Sequence, residues 1–376
     1  MTREEQIQAA LKQYEQLLRA QVARAEALEQ TKPQRGADKV VIGVIDGDGI
    51  GPIITAQASR VLKTLLREEI RSGKAEIRDI RGLTIENRLQ AGQSVPEDIM
   101  AQIKECDVLL KGPTTTPSGG NSMESANVAL RKALDLYANT RPVRVPEKGI
   151  DWMFFRENTE GEYALGSSGI SIGDLMTMDF KVTTDAGTRR IVRAAFEYAK
   201  KTGKTRVTVV TKSNILKKTD GMFSKIAREV AMDYPGITTD EYFIDIMTAN
   251  LLKEESRAAY QVFVLPNLYG DIITDEAAQI QGGVGTAGSA NIGDSYAMFE
   301  AIHGSAIRMV ETGRAQYANP ASILTAAKML LEHIGYREKA FKLEEAMQEA
   351  ARLAPITGGP EGATCAQYGD TLLKLL

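Results

Sequence analysis

Along most of the chain, short apolar runs alternate with stretches of helical periodicity. Lys39–Ile45 (KVVIGVI) is β-branched and almost continuously apolar, which predicts a strand buried on both faces. A glycine turn follows, Gly47-Asp48-Gly49-Ile50-Gly51-Pro52, and then a helical pattern through Val61, Leu62 and Leu65. Further apolar runs at Val108–Leu110, Val207–Val210 and Val262–Leu265 predict strands separated by helices. The alternation predicts an α/β protein with a largely parallel sheet. Residues 1–38 read differently. Ile7, Leu11, Tyr14, Leu18, Val22 and Ala25 recur with a helical period, and no glycine precedes Gly36. This predicts an amphipathic helix ending near Lys32-Pro33, packed on its own subunit or on a partner and adding an oligomer contact. Its acids, Glu4, Glu5, Glu15, Glu26 and Glu29, argue against a signal or transit peptide.

Composition narrows the function. A chain of 376 residues suits two domains. Its formal net charge of −3 gives no basic excess for nucleic acid or an anionic membrane. No apolar run is long enough for a membrane helix. Cys106 and Cys365 are the only cysteines, so a disulfide framework is excluded, and a reducing, cytoplasmic location is expected. His303 and His333 are the only histidines. A catalytic metal would therefore rest mainly on carboxylates, which favours Mg²⁺ or Mn²⁺.

Three regions carry candidate chemistry. The Gly47–Pro52 turn has G-x-G-x-G spacing followed by proline, so it is not a standard Rossmann fingerprint. It reads as a tight turn that lets backbone approach a ligand. In residues 111–141, Lys111, Thr115 and Thr116 flank a Pro/Gly-rich loop, and a helical pattern begins near Ser125. Asn127 and Arg131 share one face of that helix. Arg141 and Arg156 follow, with Tyr163 close behind. Taken singly each arginine reads as a surface charge, but three guanidinium forks suit a small polycarboxylate. Asp271 and Asp275 stand four apart on a predicted helix start and, with Asp245, suit a hard cation. The glycine-dense Gly282–Asn291 stretch, followed by Glu300-Ala301-Ile302-His303-Gly304-Ser305-Ala306, suits a loop around a nucleotide.

In order and spacing, GDGIGP, KGPTTTP, S-x-N-x-x-x-R, RPV, RENTEGEY, TKSNILK, NLYGDIITD, EAIHGSA and Asn319-Pro320 resemble the decarboxylating β-hydroxyacid dehydrogenases. That family includes isocitrate, isopropylmalate and homoisocitrate dehydrogenases, and the resemblance runs from about Lys39 to Leu376. It implies the two-domain α/β isocitrate/isopropylmalate dehydrogenase-like fold, not a standard Rossmann fold. After an N-terminal extension (1–38), a large domain would take 39–136 and 282–376, and a small domain 137–281 with a dimer clasp near 162–187. It further implies a homodimer with a shared active site in the cleft between domains.

The resemblance also implies roles for single residues. Arg131, Arg141 and Arg156 would bind substrate carboxylates, helped by Lys111. Asp271 of one subunit and Asp245 of the other, with Asp275 adjacent, would hold Mg²⁺ or Mn²⁺. Lys212, supplied by the other subunit, would be the base or relay for the substrate hydroxyl, Tyr163 the proton donor after decarboxylation, and Asn214 an orienting residue. Ser125 and Asn127 stand where isocitrate enzymes hydrogen-bond the extra carboxylate and isopropylmalate enzymes carry leucines, which favours isocitrate, with homoisocitrate or 3-isopropylmalate as alternatives. Thr115, Thr116, Glu300, His303, Gly304, Ser305, Ala306, Arg308 and Asn319 would bind the nicotinamide cofactor. Arg308, where NAD-linked relatives carry aspartate, favours NADP over NAD. Met309, where bacterial NADP enzymes often carry tyrosine, argues the other way.

Overall fold

The structure, a computed structural model, describes residues 2–28, 39–117, 123–166, 168–283 and 285–376. Among the described residues the strands are β1 (Val40–Ile45), β2 (Ala75–Ile80), β3 (Val108–Lys111), β4 (Ala138–Val145), β5 (Ile150–Glu157), β6 (Ile170–Ile172), β7 (Met176–Met178), β8 (Arg206–Thr211), β9 (Thr238–Phe243), β10 (Val262–Leu265), β11 (Gly288–Ile292) and β12 (Ala297–Ala301). All four apolar runs read from the sequence are strands, and every residue of β3 and β10 is buried. The chain divides into two units. β4 is split between them: residues 140–142 go with the second unit and its ends with the first.

The first unit comprises residues 1–33, 137–139 and 143–277. Its strands run in the order β5-β10-β8-β9, all parallel. Phe154 of β5 stacks on Phe263 of β10 with ring centroids 4.4 Å apart, and Trp152 meets both rings edge-on. The helix Asp185–Thr202 begins on a Thr184 cap, whose hydroxyl accepts the Gly187 amide. β6 and β7 form a separate antiparallel pair within the 162–187 stretch.

The N-terminal helix spans Arg3–Leu28 and belongs to this first unit. Its expected end near Lys32-Pro33 lies outside the described residues. The structure divides the stripe read from the sequence. Ala10, Ile7 and Leu17 pack on Ile170, Ile172 and Phe180, whereas Leu11, Leu18 and Val22 are about half exposed (49–54%). Tyr14 bridges the two faces, its ring 5.4 Å from that of Phe180. A 3.6-residue period fixes that a stripe exists, but neighbouring stripes on an alanine-rich helix compete for the same groove.

The second unit comprises residues 34–136, 140–142 and 278–376. Its strands run β2-β1-β3-β12-β11, parallel except for the β11–β12 pair. The helices Gly51–Leu65, Ala321–His333, Arg337–Leu353 and Cys365–Leu375 cover one side with a continuous aliphatic core. A second cluster around Ile80, Ile99, Ile103, Leu130 and Met298 fills another part of the same unit. Both cysteines are buried free thiols; burial pushes Cys106 up to about 11 and Cys365 up to about 12, so neither supplies a reactive thiolate. No helix among the described residues is long and apolar enough to cross a membrane.

Candidate active site

In the first unit, the chemistry gathers where parallel strands end, as open α/β sheets generally arrange it. β5 closes on Arg156 and Glu157, and Arg156 lies in register with Leu265 of β10. The helix Asn267–Gln281 starts immediately after β10. Arg156 is 1% exposed. Its Nε and Nη2 both donate to Asn267 Oδ1, at 2.9 and 2.7 Å, while Nη1 donates to Asp271. Tyr163 donates its hydroxyl to the other oxygen of Asp271 at 2.8 Å, and its ring lies 5.3 Å from the Arg156 guanidinium. Asp275 follows one turn later on the same helix, exposed.

A second group forms at the ends of β8 and β9, where Thr211 is in register with Phe243. Lys212 Nζ lies 2.5 Å from Asp245 Oδ1, and this hydrogen bond holds the Asp245 carboxyl below its usual range. Asp245 is 65% exposed at its side chain and Asn214 is exposed too. Beneath them Asp220, fully buried, accepts the Lys212 backbone N–H at 2.7 Å and pairs with Lys181 at 2.6 Å. Asp220 therefore fixes the Lys212 loop through its backbone, while the side-chain partner of the ammonium is Asp245.

Behind Arg156 lie two buried acids that sequence reasoning did not single out. Glu157 and Glu160 are 3% and 2% exposed. Burial, and then the neighbouring Glu160 charge, push Glu157 up to about 7. Its carboxyl accepts the Thr159 and Glu160 amides at 2.8 and 2.7 Å. A folded pKa raised from 4.5 to about 7 means that this group's stabilisation is complete below pH ~4.5 and declines as pH rises through ~7. Glu157→Gln should therefore remove a loss on the order of 2–3 kcal/mol between pH 5 and 8, read by urea unfolding at both ends. An unchanged pH slope would rule this out.

In the second unit, Lys111 ends β3 beside Glu300 of β12, its register partner. Lys111 is fully buried; its Nζ reaches Gly112 O at 2.9 Å and Glu300 Oε2 at 3.3 Å. Glu300 Oε1 also accepts from Arg131 Nη2 at 3.0 Å and Asn291 Nδ2 at 2.8 Å. Burial alone would raise the Glu300 carboxyl, but Lys111 and Arg131 overcome it and hold it at about 2. Burial depresses Lys111 in turn. Arg131 is 8% exposed, and its Nε is buried with no partner among the described residues. Ser125 precedes the helix Ala126–Ala133 as its N-cap, yet its side chain makes no capping bond. Asn127 Oδ1 accepts from Thr114 at 3.1 Å. Arg141, on β4, is likewise 8% exposed. None of the three arginines is the surface charge that each resembles when read alone.

The remaining loops of this unit interlock. Asp48 accepts the Ile85 and Thr115 amides at 2.8 and 2.7 Å, and Thr115 Oγ1 lies 2.7 Å from Ser305 Oγ. Gly49, at φ +60°, leaves room for Ser305 O, which a Cβ there would meet at 2.0 Å. The backbone that needs glycine in this turn is thus the chain's own. Arg88, fully buried, donates to Thr115 O at 2.7 Å and Glu124 O at 3.3 Å. The intervening residues 118–122, part of the Pro/Gly-rich loop, lie outside the described residues. His303 Nδ1 sits 2.9 Å from Gly304 O, and Ala306 takes φ +48°. Gly304, Thr116 and Arg308 are exposed; Asn319 accepts the Ala321 amide at 2.9 Å.

This order of motifs along a chain of this fold matches one family model, isocitrate/isopropylmalate dehydrogenase, over residues 41–371. The chain belongs to the isocitrate/isopropylmalate dehydrogenase family. Among family members, it is 40% identical over 327 residues to an isocitrate dehydrogenase [NADP] of Rickettsia bellii (strain RML369-C), covering 83% of this chain. The chain spans 63% of the length of that relative. It is 35% identical to a homoisocitrate dehydrogenase of Methanocaldococcus jannaschii, covering 89% of this chain and 96% of the relative. NAD-linked isocitrate dehydrogenase subunits also match. Among solved structures, isocitrate dehydrogenase from Methylococcus capsulatus superposes with a TM-score of 0.78 at 32% identity, covering 89% of this chain and 99% of that one.

The carboxylates fit the divalent cation that the family uses in chemistry but not in number. Asp245, Asp271 and Asp275 are hard oxygen donors. Among the described residues, however, no group of three acids, histidines or cysteines stands close enough to hold a metal. One chain presents Asp271 and Asp275 on one helix and Asp245 on another.

Proposed function

We propose that the chain catalyses the oxidative decarboxylation of isocitrate to 2-oxoglutarate and CO₂, reducing NADP in preference to NAD and requiring Mg²⁺ or Mn²⁺. The observation that carries the substrate reading is Arg131. Glu300 braces one edge of its guanidinium, and its buried Nε is unspent among the described residues. Ser125 and Asn127 stand at the start of the same helix, with the serine hydroxyl not used as a cap. A buried donor without a partner is costly, and a substrate carboxylate satisfies it.

In this reading Arg131, Arg141 and Arg156 bind carboxylates, and Asn214 orients the substrate. Glu300 braces Arg131 and pairs with Lys111 behind it, so Lys111 would serve the substrate, and Glu300 the cofactor, from within this buried group. Lys212, once its Nζ has given up a proton to become the neutral amine, would accept the 2-hydroxyl proton, and a bound nicotinamide would supply the hydride acceptor. After the bond to the departing carboxylate breaks, Tyr163 delivers a proton to that carbon. When bound, the cation would polarise the hydroxyl oxygen and stabilise the negative charge that develops there. Asp271 and Asp275 of one protomer and Asp245 of a second copy complete its donor set. The exposed Phe243, Ile246, Ile215 and Ile272 beside these residues support a homodimer that covers them. Thr115, Thr116, His303, Gly304, Ser305, Ala306 and Asn319 cradle the cofactor, and exposed Arg308 attracts the 2′-phosphate of NADP.

Absorbance at 340 nm tests this with Mg²⁺, three substrates (isocitrate, homoisocitrate and 3-isopropylmalate) and both cofactors. Fastest reduction with isocitrate and NADP is expected. Preference for homoisocitrate, a reading favoured by the near full-length match to the archaeal relative, would overturn the substrate assignment and keep the chemistry.

A further inference from the structure

The N-terminal helix lies outside the matched family region, yet it reaches the acids behind the catalytic cluster. Arg24 Nη2 donates to Glu160 Oε1 at 2.9 Å, and the pair is 27% and 3% exposed at its side chains. We propose that Arg24 is a positioning residue for the Arg156–Tyr163–Asp271 cluster and acts through Glu160. The inference rests on the functional reading above.

An unbroken series of hydrogen bonds carries it. Glu160 accepts the Thr184 amide and hydroxyl at 2.9 and 2.5 Å, which ties it to the start of the helix Asp185–Thr202. The backbone carbonyl of Glu160 accepts from Asn267 Nδ2 at 3.0 Å. Asn267 Oδ1 takes two donors of Arg156, whose third donor meets Asp271. Gly161 and Val182 then exchange two backbone bonds, at 2.8 and 3.1 Å, and Tyr163 closes on Asp271. Segment 157–163 thus carries at one end a buried acid pair and at the other the catalytic tyrosine. Two adjacent buried carboxylates repel each other, and an acid left without a cation shifts its surroundings until water or a proton reaches it. Arg190 serves the same segment from another side, donating to Thr159 Oγ1 at 3.2 Å while its guanidinium lies 4.3 Å from the centre of the Tyr137 ring. Arg24 is the cation that comes from the N-terminal helix, so the helix sets the placement of Arg156 and Tyr163 without touching substrate.

The test uses the full chain with Arg24→Gln, Arg24→Lys, Glu160→Gln and the double variant Arg24→Gln/Glu160→Gln. Arg24→Gln should lower kcat about 10- to 100-fold, the scale of a small misplacement of catalytic groups. KM for the nicotinamide cofactor should stay unchanged. Arg24→Lys should recover kcat to within about threefold, because it restores the charge. In the Glu160→Gln background, removing Arg24 should change kcat by less than about twofold, since the two act as one unit. Amide hydrogen exchange at residues 159–163 should quicken in Arg24→Gln and not in Arg24→Lys. Parental kcat and exchange in Arg24→Gln would overturn the proposal. So would a lysine variant as impaired as the glutamine one, or an undiminished loss in the Glu160→Gln background. A parent chain inactive on all three substrates would instead sink the functional reading, and the exchange measurement alone would then decide whether Arg24 orders the segment.

Discussion

Replacing Lys212 with methionine should lower kcat on isocitrate by about 10²–10⁴-fold, the range for removal of a general base. Methionine keeps the length and apolar stem of lysine and deletes the ammonium that lies 2.5 Å from Asp245. The loop itself should stay in place, because Asp220 holds it through the Lys212 backbone N–H rather than the side chain. The melting temperature should therefore move by no more than about 2 °C, as for a partly exposed substitution without a packing defect. Steady-state kinetics beside a thermal melt separate the two effects. Retained turnover would remove Lys212 from the chemistry. A large fall in melting temperature would show that the ammonium, not the backbone, anchors the loop.

Glu300→Gln should cost both stability and activity. Among the described residues it leaves the Lys111 ammonium, with no exposed surface, hydrogen-bonded to the Gly112 carbonyl and beside a neutral amide. Breaking a buried pair by removing one partner typically costs about 3–5 kcal/mol. Arg131 loses its brace at the same time, so KM for isocitrate should rise by at least about tenfold. Adding Lys111→Met should return much of the stability and none of the affinity, because the lone buried charge is gone while Arg131 stays unbraced. Acid titration gives an independent check. A carboxyl held at about 2, below its ordinary 4.5, stabilises the fold above pH ~4.5, and that contribution fades as pH falls towards 2. The variant should lack this part of the acid transition. Equal acid sensitivity in parent and variant would contradict the buried charge assignment.

The fold was largely legible in the sequence, and the site only in part. Lys39–Ile45 and Val262–Leu265 could be read because a strand buried on both faces must be apolar at every position. Asp271 and Asp275 could be placed on one helix because local spacing alone decides that. What local spacing does not contain is the partner. The acid that braces Arg131 lies 169 residues away, at Glu300, and the asparagine that holds Arg156 lies 111 residues away. Until the fold brings these together, each arginine reads as a surface charge. The buried acids Glu157, Glu160 and Asp220 were missed for the same reason. Glu157 closes β5 and Glu160 follows three residues later, while Asp220 opens the helix after β8, and none of these places marks a buried acid until its surroundings are known. In the N-terminal helix the period alone could not say which apolar residues face the chain: Ile7 and Ala10 do, while Leu11 and Leu18 stay half exposed.

The interlock of Asp48, Gly49, Thr115 and Ser305 bears on how such a protein can change its habits. Those loops are fastened to one another by their own backbones and short side chains. Arg308 stands just past the last fastening, on an exposed surface, and tightens none of it through its side chain. On the function proposed above, preference for a phosphorylated or unphosphorylated dinucleotide would therefore be a detachable trait. It could then be engineered at Arg308 while the scaffold beneath keeps its shape, whereas Met309 packs against the aliphatic core and a single methyl group at Gly49 would force the loops apart.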